Sequence, residues 1–219
     1  KMVIRNFSFD HKGGFYHYRV HTLKLNKLCT GVLFPLKKYL ELMFTSCPNE
    51  HFQKGPRSSS LKFNLANLNL QNIPKHELCA LTHYGLDKNN DRYSSPHSKV
   101  QVFMLETDNY SIACEIPIWL LPEELKSYNE IFNSNEILTG HIDILRIQDN
   151  KIWVVDYKPN ASKEKFASTQ VYFYALMLSK RTGIPLEYFR CGYFDNINCY
   201  LFKPEECFLP KLKSIQEFI

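Results

Sequence analysis

Two acids and a lysine stand out for their spacing. Gly140-His141-Ile142-Asp143 is followed by Val155-Asp156-Tyr157-Lys158, and Gln148-Asp149-Asn150-Lys151 between them has the composition of a turn. The flanking runs, Ile142 to Ile147 and Ile152 to Val155, are apolar and β-branched, so they read as the two strands of a hairpin. A two-residue loop at Asp149-Asn150 sets Gln148 opposite Lys151 and, counting back along both strands, Asp143 opposite Asp156 on one face. Lys158 lies two residues further on, hence on that face, opposite His141. Carboxylates whose Cβ atoms are roughly 5 Å apart repel unless something neutralises them. A divalent cation held by oxygen ligands does so. Such a site suits phosphodiester hydrolysis: Mg²⁺ or Mn²⁺ held by Asp143 and Asp156 polarises a phosphate oxygen and activates a water. Lys158 orients that water or stabilises charge on phosphorus. Pro159 keeps Lys158 extended as the strand ends. The bland alternative is a hairpin with two solvated acids and a rim lysine, and the apolar and aromatic neighbours of Asp156 argue against it.

These residues need a framework. The hairpin strands are apolar on both faces (Ile142, Ile144 and Val155; Leu145, Ile147 and Val154), so both faces are expected to be covered. That predicts a layered α/β core whose central strands carry the acids. Ile112 to Trp119 reads as a preceding strand, with Pro117 pointing to an edge position or a bulge. Ser98 to Glu106 is expected to be a helix ending near Asp108-Asn109. A longer helix is predicted from about Lys163 to Thr182, stopped by Gly183 and Pro185, and then strands at Phe189 to Phe194 and Cys199 to Phe202. On the long helix Gln170 and Tyr174 share a face with Met177 and, roughly, Phe166 and Phe173. A glutamine on so apolar a stripe requires a partner.

Residues 1 to about 75 differ in character. Phe15 to Leu25 alternates like a strand after the Lys12-Gly13-Gly14 turn, and Phe34 to Phe44 has helical spacing. Gly55-Pro56-Arg57-Ser58-Ser59-Ser60 has loop composition and is the best candidate for an internal break; Asp87 to Ser95 reads as a surface loop. The expected organisation is an N-terminal accessory region, 1–95, and a core, 96–219. The chain has 219 residues, 44% of them hydrophobic, and a formal charge of +5, mildly favourable for a polyanionic partner. No membrane span or signal-peptide pattern is visible. The seven cysteines form no CxxC pair, which argues against a zinc ribbon or disulfide framework and for a reduced, intracellular setting in cytoplasm or nucleoid.

Gly140-His141-Ile142-Asp143, Asp156-Tyr157-Lys158 and Gln170-Val171-Tyr172-Phe173-Tyr174 together resemble the RecB-like branch of the PD-(D/E)XK nuclease superfamily, over roughly residues 97 to 204. The resemblance implies a restriction-endonuclease-like α/β fold with a central mixed sheet flanked by helices, and Mg²⁺- or Mn²⁺-dependent cleavage of DNA. Exonuclease action in repair, recombination or defence is the usual role. It implies that Asp143 and Asp156 are metal ligands, that the Tyr157 carbonyl is a third, and that Lys158 is the catalytic lysine. Gln170 and Tyr174 would contact DNA or brace the site. Glu115 matches a glutamate that often opens the region and stands as a ligand, a brace for Lys158 or an edge-strand acid. An upstream helical histidine is often a further ligand; His97 is best placed, with His83 and His76 as alternatives. His141 would contact phosphate or serve only structure.

CRISPR-associated RecB-like exonucleases hold an iron–sulfur cluster with four cysteines, three of them close together. Cys191, Cys199 and Cys207 are each eight apart, so no such cluster is expected. Ser58-Ser59-Ser60 with Asn69 to Pro74 looks like part of a polymerase template-binding motif, but no pair of palm-type aspartates accompanies it. It reads as coincidence or as a DNA-facing loop. The competing functional readings are an inactive nucleic-acid-binding module on the same fold, and an assembly subunit whose N-terminal region binds a protein partner.

Overall fold

The computed structural model describes residues 3–210. Its framework is one eight-stranded sheet: β1 (Ile4–His11), β2 (Gly14–His21), β3 (Gln71–Asn72), β4 (Ser111–Leu120), β5 (Leu138–Gln148), β6 (Lys151–Tyr157), β7 (Phe189–Phe194) and β8 (Cys199–Phe202), in the order β1-β2-β4-β5-β6-β7-β8-β3. Neighbouring strands are antiparallel except β6 and β7, which run parallel. A parallel pair needs a crossover, and the helix Ala167–Thr182 supplies it. Five further helices precede that one: α1 (Thr22–Leu28), α2 (Phe34–Ser46), α3 (Glu77–Lys88), α4 (Pro96–Thr107) and α5 (Tyr128–Phe132), so the crossover is α6. The result is a mixed α/β fold of the restriction-endonuclease-like type.

The hairpin of β5 and β6 forms as its turn residues dictate. Asp149 and Asn150 take φ of 51° and 57°, the left-handed pair of a two-residue loop, and the ladder runs from Gln148–Lys151 to Ile144–Val155. Leu145, Ile147, Ile152 and Val154 enter the larger core with α6, while Ile144, Val155 and Tyr157 pack in a second core with Leu78, Val100 and Met104 of α3 and α4. Both faces of the hairpin are therefore buried, which is why its sequence is apolar on both. α3 and α4 approach closely at Gly85, where a Cβ would stand 3.1 Å from the Val100 Cα.

Several elements depart from the sequence expectations for local reasons. α6 begins at Ala167 rather than near Lys163, because Ala161–Lys163 forms a separate 3₁₀ turn whose Ala161 N–H is bound by the Asp195 carboxylate at 2.8 Å. Gly183, at φ 72°, ends it as expected. β4 is an interior strand, yet β2 pairs with it only at Ala113 and Cys114. Pro117 lies beyond that pairing, where its missing N–H removes no ladder bond. Gly55–Ser60 is docked on the start of β5: Thr139 N–H donates to the Pro56 carbonyl at 3.1 Å, and buried Ser58 Oγ donates to the Thr139 carbonyl at 3.0 Å. α3 had no counterpart among the expected elements.

Arg146, on β5, is fully buried and ties three elements together. Its Nε donates to Asp108 Oδ2 at 2.8 Å and its Nη2 to Glu77 Oε1 at 2.6 Å. Burial pushes the Asp108 carboxyl up, but Arg146, the Ser111 hydroxyl and the Tyr110 N–H pull it below its usual range. A carboxyl with a depressed native pKa stabilises the fold above its unfolded pKa of about 3.9, and that stabilisation is lost as pH falls through the native value. Arg146→Leu leaves Asp108 buried without its cation and is expected to cost about 3–5 kcal/mol in urea unfolding at neutral pH. Repeating the titration at pH 3 checks the mechanism: the gap between wild type and variant narrows.

Candidate active site

The last paired residues of the β5–β6 hairpin are Ile144 and Val155; beyond them the strands separate. Asp143 and Asp156 sit at that mouth, one residue past the ladder, as the register requires. The separation leaves the Tyr157 N–H without a strand partner, and the Asp143 carboxylate accepts it at 3.1 Å. On the other side of β5, Cys114 pairs with Ile144 and Ile116 with Ile142, which brings Glu115 alongside Asp143. Glu115 has φ 53° in mid-strand. A left-handed glutamate costs of order 1 kcal/mol or more and breaks the alternation of the strand, so the surroundings must hold it there. Gln101 of α4 contributes: its Nε2 donates to Glu115 Oε1 at 2.6 Å.

The electrostatics follow from this convergence. Burial, then the charges of Asp156 and Glu115, push the Asp143 carboxyl well above its usual range. Burial pushes Glu115 up to about 7, with Asp156 adding to the shift and the Gln101 bond opposing it. Burial works against the Lys158 ammonium, but Asp156 and Asp143 outweigh it and raise its pKa. Lys158 Nζ lies 2.6 Å from Asp156 Oδ2. That contact is a buried ion pair at hydrogen-bonding distance. Lys158 also donates to Gln170 Oε1 at 3.0 Å, and Gln170 Nε2 donates to the Tyr174 hydroxyl at 2.7 Å. Gln170 thus has the partner that its apolar face demanded.

The donor set suits a hard divalent cation. Three carboxylates face one ammonium, so negative charge is in excess at the site. As they stand, no three or more His, Cys, Asp or Glu side chains among the described residues are grouped so that they could hold a metal ion. His97, at the start of α4, places Nε2 3.7 Å from Asp143 Oδ2, and burial lowers its pKa, favouring the neutral ring that ligates metals. The other two histidines stand elsewhere: His76 caps α3 by accepting the Leu78 N–H, and His83 is exposed on α3. Tyr157 packs its ring against His97 and Phe194 and meets Asp143 through its backbone N–H. His141 is buried, stacked on Tyr16 at 3.6 Å and bonded to His11 at 2.9 Å, which fits the structural of its two readings.

Gln101 escaped the sequence reading, although its signal was present. It lies one helical turn after His97, a polar residue between Val100 and Val102 on the face turned to the sheet. Gly140 also acquires a reason: a Cβ there would stand 2.5 Å from the Tyr174 ring and 3.0 Å from Ser58 Oγ. Gly140→Ala is expected to push Tyr174 off β5 and loosen the Gln170–Lys158 chain. A melting temperature lowered by about 2–8 °C, the shift that roughly 1–2 kcal/mol produces at this chain length, checks it.

No curated protein matches the chain. The model of the PD-(D/E)XK nuclease superfamily matches residues 75–211, which takes in Glu115, Asp143, Asp156, Lys158, Gln170 and Tyr174. With the acid pair, the acid-x-lysine strand end and the mixed sheet on the same segment, the chain belongs to the PD-(D/E)XK nuclease superfamily.

Proposed function

We propose that this protein is a divalent-metal-dependent DNA nuclease of the RecB-like kind, with exonuclease action in repair, recombination or defence. Superfamily membership makes a metal-dependent nuclease acting on nucleic acid the function class. The observation that carries the finer reading is the chain Asp156–Lys158–Gln170–Tyr174, in which the lysine of the acid-x-lysine motif is held by the glutamine of Gln-x-x-x-Tyr. Asp143 and Asp156 would hold Mg²⁺ or Mn²⁺, with Glu115, His97 and the Tyr157 carbonyl as the remaining donors. An ion held there would supply Lewis-acid polarisation of a phosphate oxygen and a water of lowered pKa.

The protein's own groups divide the remaining work. Lys158 stays protonated between the acids and donates a hydrogen bond to the attacking water or to charge developing on phosphorus. Gln170 fixes the lysine's position through its carbonyl oxygen, and Tyr174 fixes the glutamine. Gln101 steadies Glu115 beside Asp143. Residues 96–219 are read as the nuclease core. Residues 1–95 are read as an accessory region that extends the same sheet with β1 and β2 and offers a surface for a protein partner. Among the described residues no helix is long and apolar enough to cross a membrane.

The test is cleavage of labelled single- and double-stranded DNA, with RNA as control, in Mg²⁺, Mn²⁺ or EDTA. Asp156→Ala and Lys158→Ala are each expected to lower the rate at least about a hundredfold. Cleavage that persists in EDTA or in both variants overturns the mechanism, and binding without cleavage in any metal favours the inactive module. An independent check uses stability. Asp143→Asn keeps an oxygen for the Tyr157 N–H but removes one of the crowded acids. In EDTA it is expected to melt about 2–4 °C above wild type, the shift worth roughly 1 kcal/mol at this size. Added Mg²⁺ is expected to stabilise wild type and to leave the variant nearly unmoved.

A further inference from the structure

Arg57 lies outside the segment that matches the superfamily, yet it is set against the catalytic strand. Its backbone bridges to Thr139 in β5, and its neighbour Ser58 packs over Gly140 beside Tyr174. From there the guanidinium runs in the direction of the acids: Nη2 lies 3.5 Å from His141 Nδ1. His141 is two residues, or about 7 Å of strand, before Asp143 and shares its face. Nη1 donates to the Lys12 carbonyl and the Tyr16 hydroxyl, and the group sits over the Tyr16 ring with its centre 5.0 Å away. All of these partners are neutral, so among the described residues this half-buried guanidinium has no carboxylate counter-ion.

A planar guanidinium held by neutral groups on one side is prepared to receive an anion on the other. Exposed Lys12 donates its Nζ to the Gly55 carbonyl at 3.3 Å, so a second cation stands on the loop that carries Arg57, with the Glu136 carboxylate on the other side of Gly55. We propose that Arg57, carried by the docked Gly55–Ser60 loop, forms a phosphate subsite for the nucleic-acid strand one step from the scissile bond. This rests on the nuclease reading above. The N-terminal region then takes part in substrate binding directly, and the anion it takes is either an internal phosphodiester or a terminal phosphate.

The experiment compares wild type with Arg57→Gln on oligonucleotides that bear a 5′-phosphate or a 5′-hydroxyl, over a range of salt. Arg57→Gln is expected to raise KM about tenfold with kcat within about twofold, and to lower the salt slope by about one unit. A rise confined to 5′-phosphorylated substrates assigns the terminal phosphate; a rise on both assigns an internal one. Lys151→Gln removes a cation at the turn end of the β5–β6 hairpin, away from the docked loop, so KM and salt slope are expected to stay near wild type. Unchanged KM and slope in Arg57→Gln, or the same KM rise in Lys151→Gln, overturns the subsite. If Arg57→Gln fails to fold, Arg57→Lys decides: the subsite requires the slope kept and KM raised, because lysine lacks the two-donor fork, and a wild-type KM overturns it. A wild type that cleaves no nucleic acid defeats the nuclease reading instead, so the two failures are distinguishable.

Discussion

The repulsion among Asp143, Asp156 and Glu115 is the constraint on which the rest of the structure depends. Three acids are gathered where β5 and β6 part, with burial and mutual charge raising Asp143 and Glu115 above the ordinary carboxylate range. Left alone, such a group would separate or take up protons. It stays together because its supports come from different elements: the Tyr157 N–H from β6, Gln101 from α4, and Lys158 held in turn by Gln170 of α6. The sheet between them is buried on both faces, so none of these supports can drift independently. Crowded carboxylates held by rigid scaffolding are the condition in which a divalent cation gains most by binding.

Much of this was legible in the sequence because short-range rules governed it. Asp149-Asn150 fixes a two-residue turn, the strand period of two then fixes the register, and Asp143 meets Asp156 at the end of the ladder. Gly183 ends α6, and the spacing of Gln170 and Tyr174 puts both on the face that reaches Lys158. What escaped was set by tertiary contact. The left-handed backbone at Glu115 has no local signature, since glutamate is neither glycine nor asparagine. Arg146 carries no local sign of its burial, because its partners Glu77 and Asp108 are far away in sequence. Gly55–Ser60 has the composition of a free loop, and only the Thr139 bonds reveal it as part of the site's wall.

β5 shows how closely the two ends of the chain are joined. Within four residues it carries Gly140, which admits the Tyr174 ring, His141, which anchors the N-terminal hairpin, and Asp143 at the site. The anchor is a stack in which Phe52 lies 4.2 Å from His11, while His141 bonds His11 and lies 3.6 Å from Tyr16. Burial lowers the pKa of both histidines, so the pair is neutral and can share one ring proton between facing nitrogens. Aromatic contacts of this kind contribute about 0.5–1.5 kcal/mol each, so a set of them holds β1 and β2 firmly against β5. The hairpin is thus fixed to the strand that carries Asp143, through His141 two residues before it. The docked Gly55–Ser60 loop and Asp143 share β5, so the loop keeps a fixed place relative to that acid.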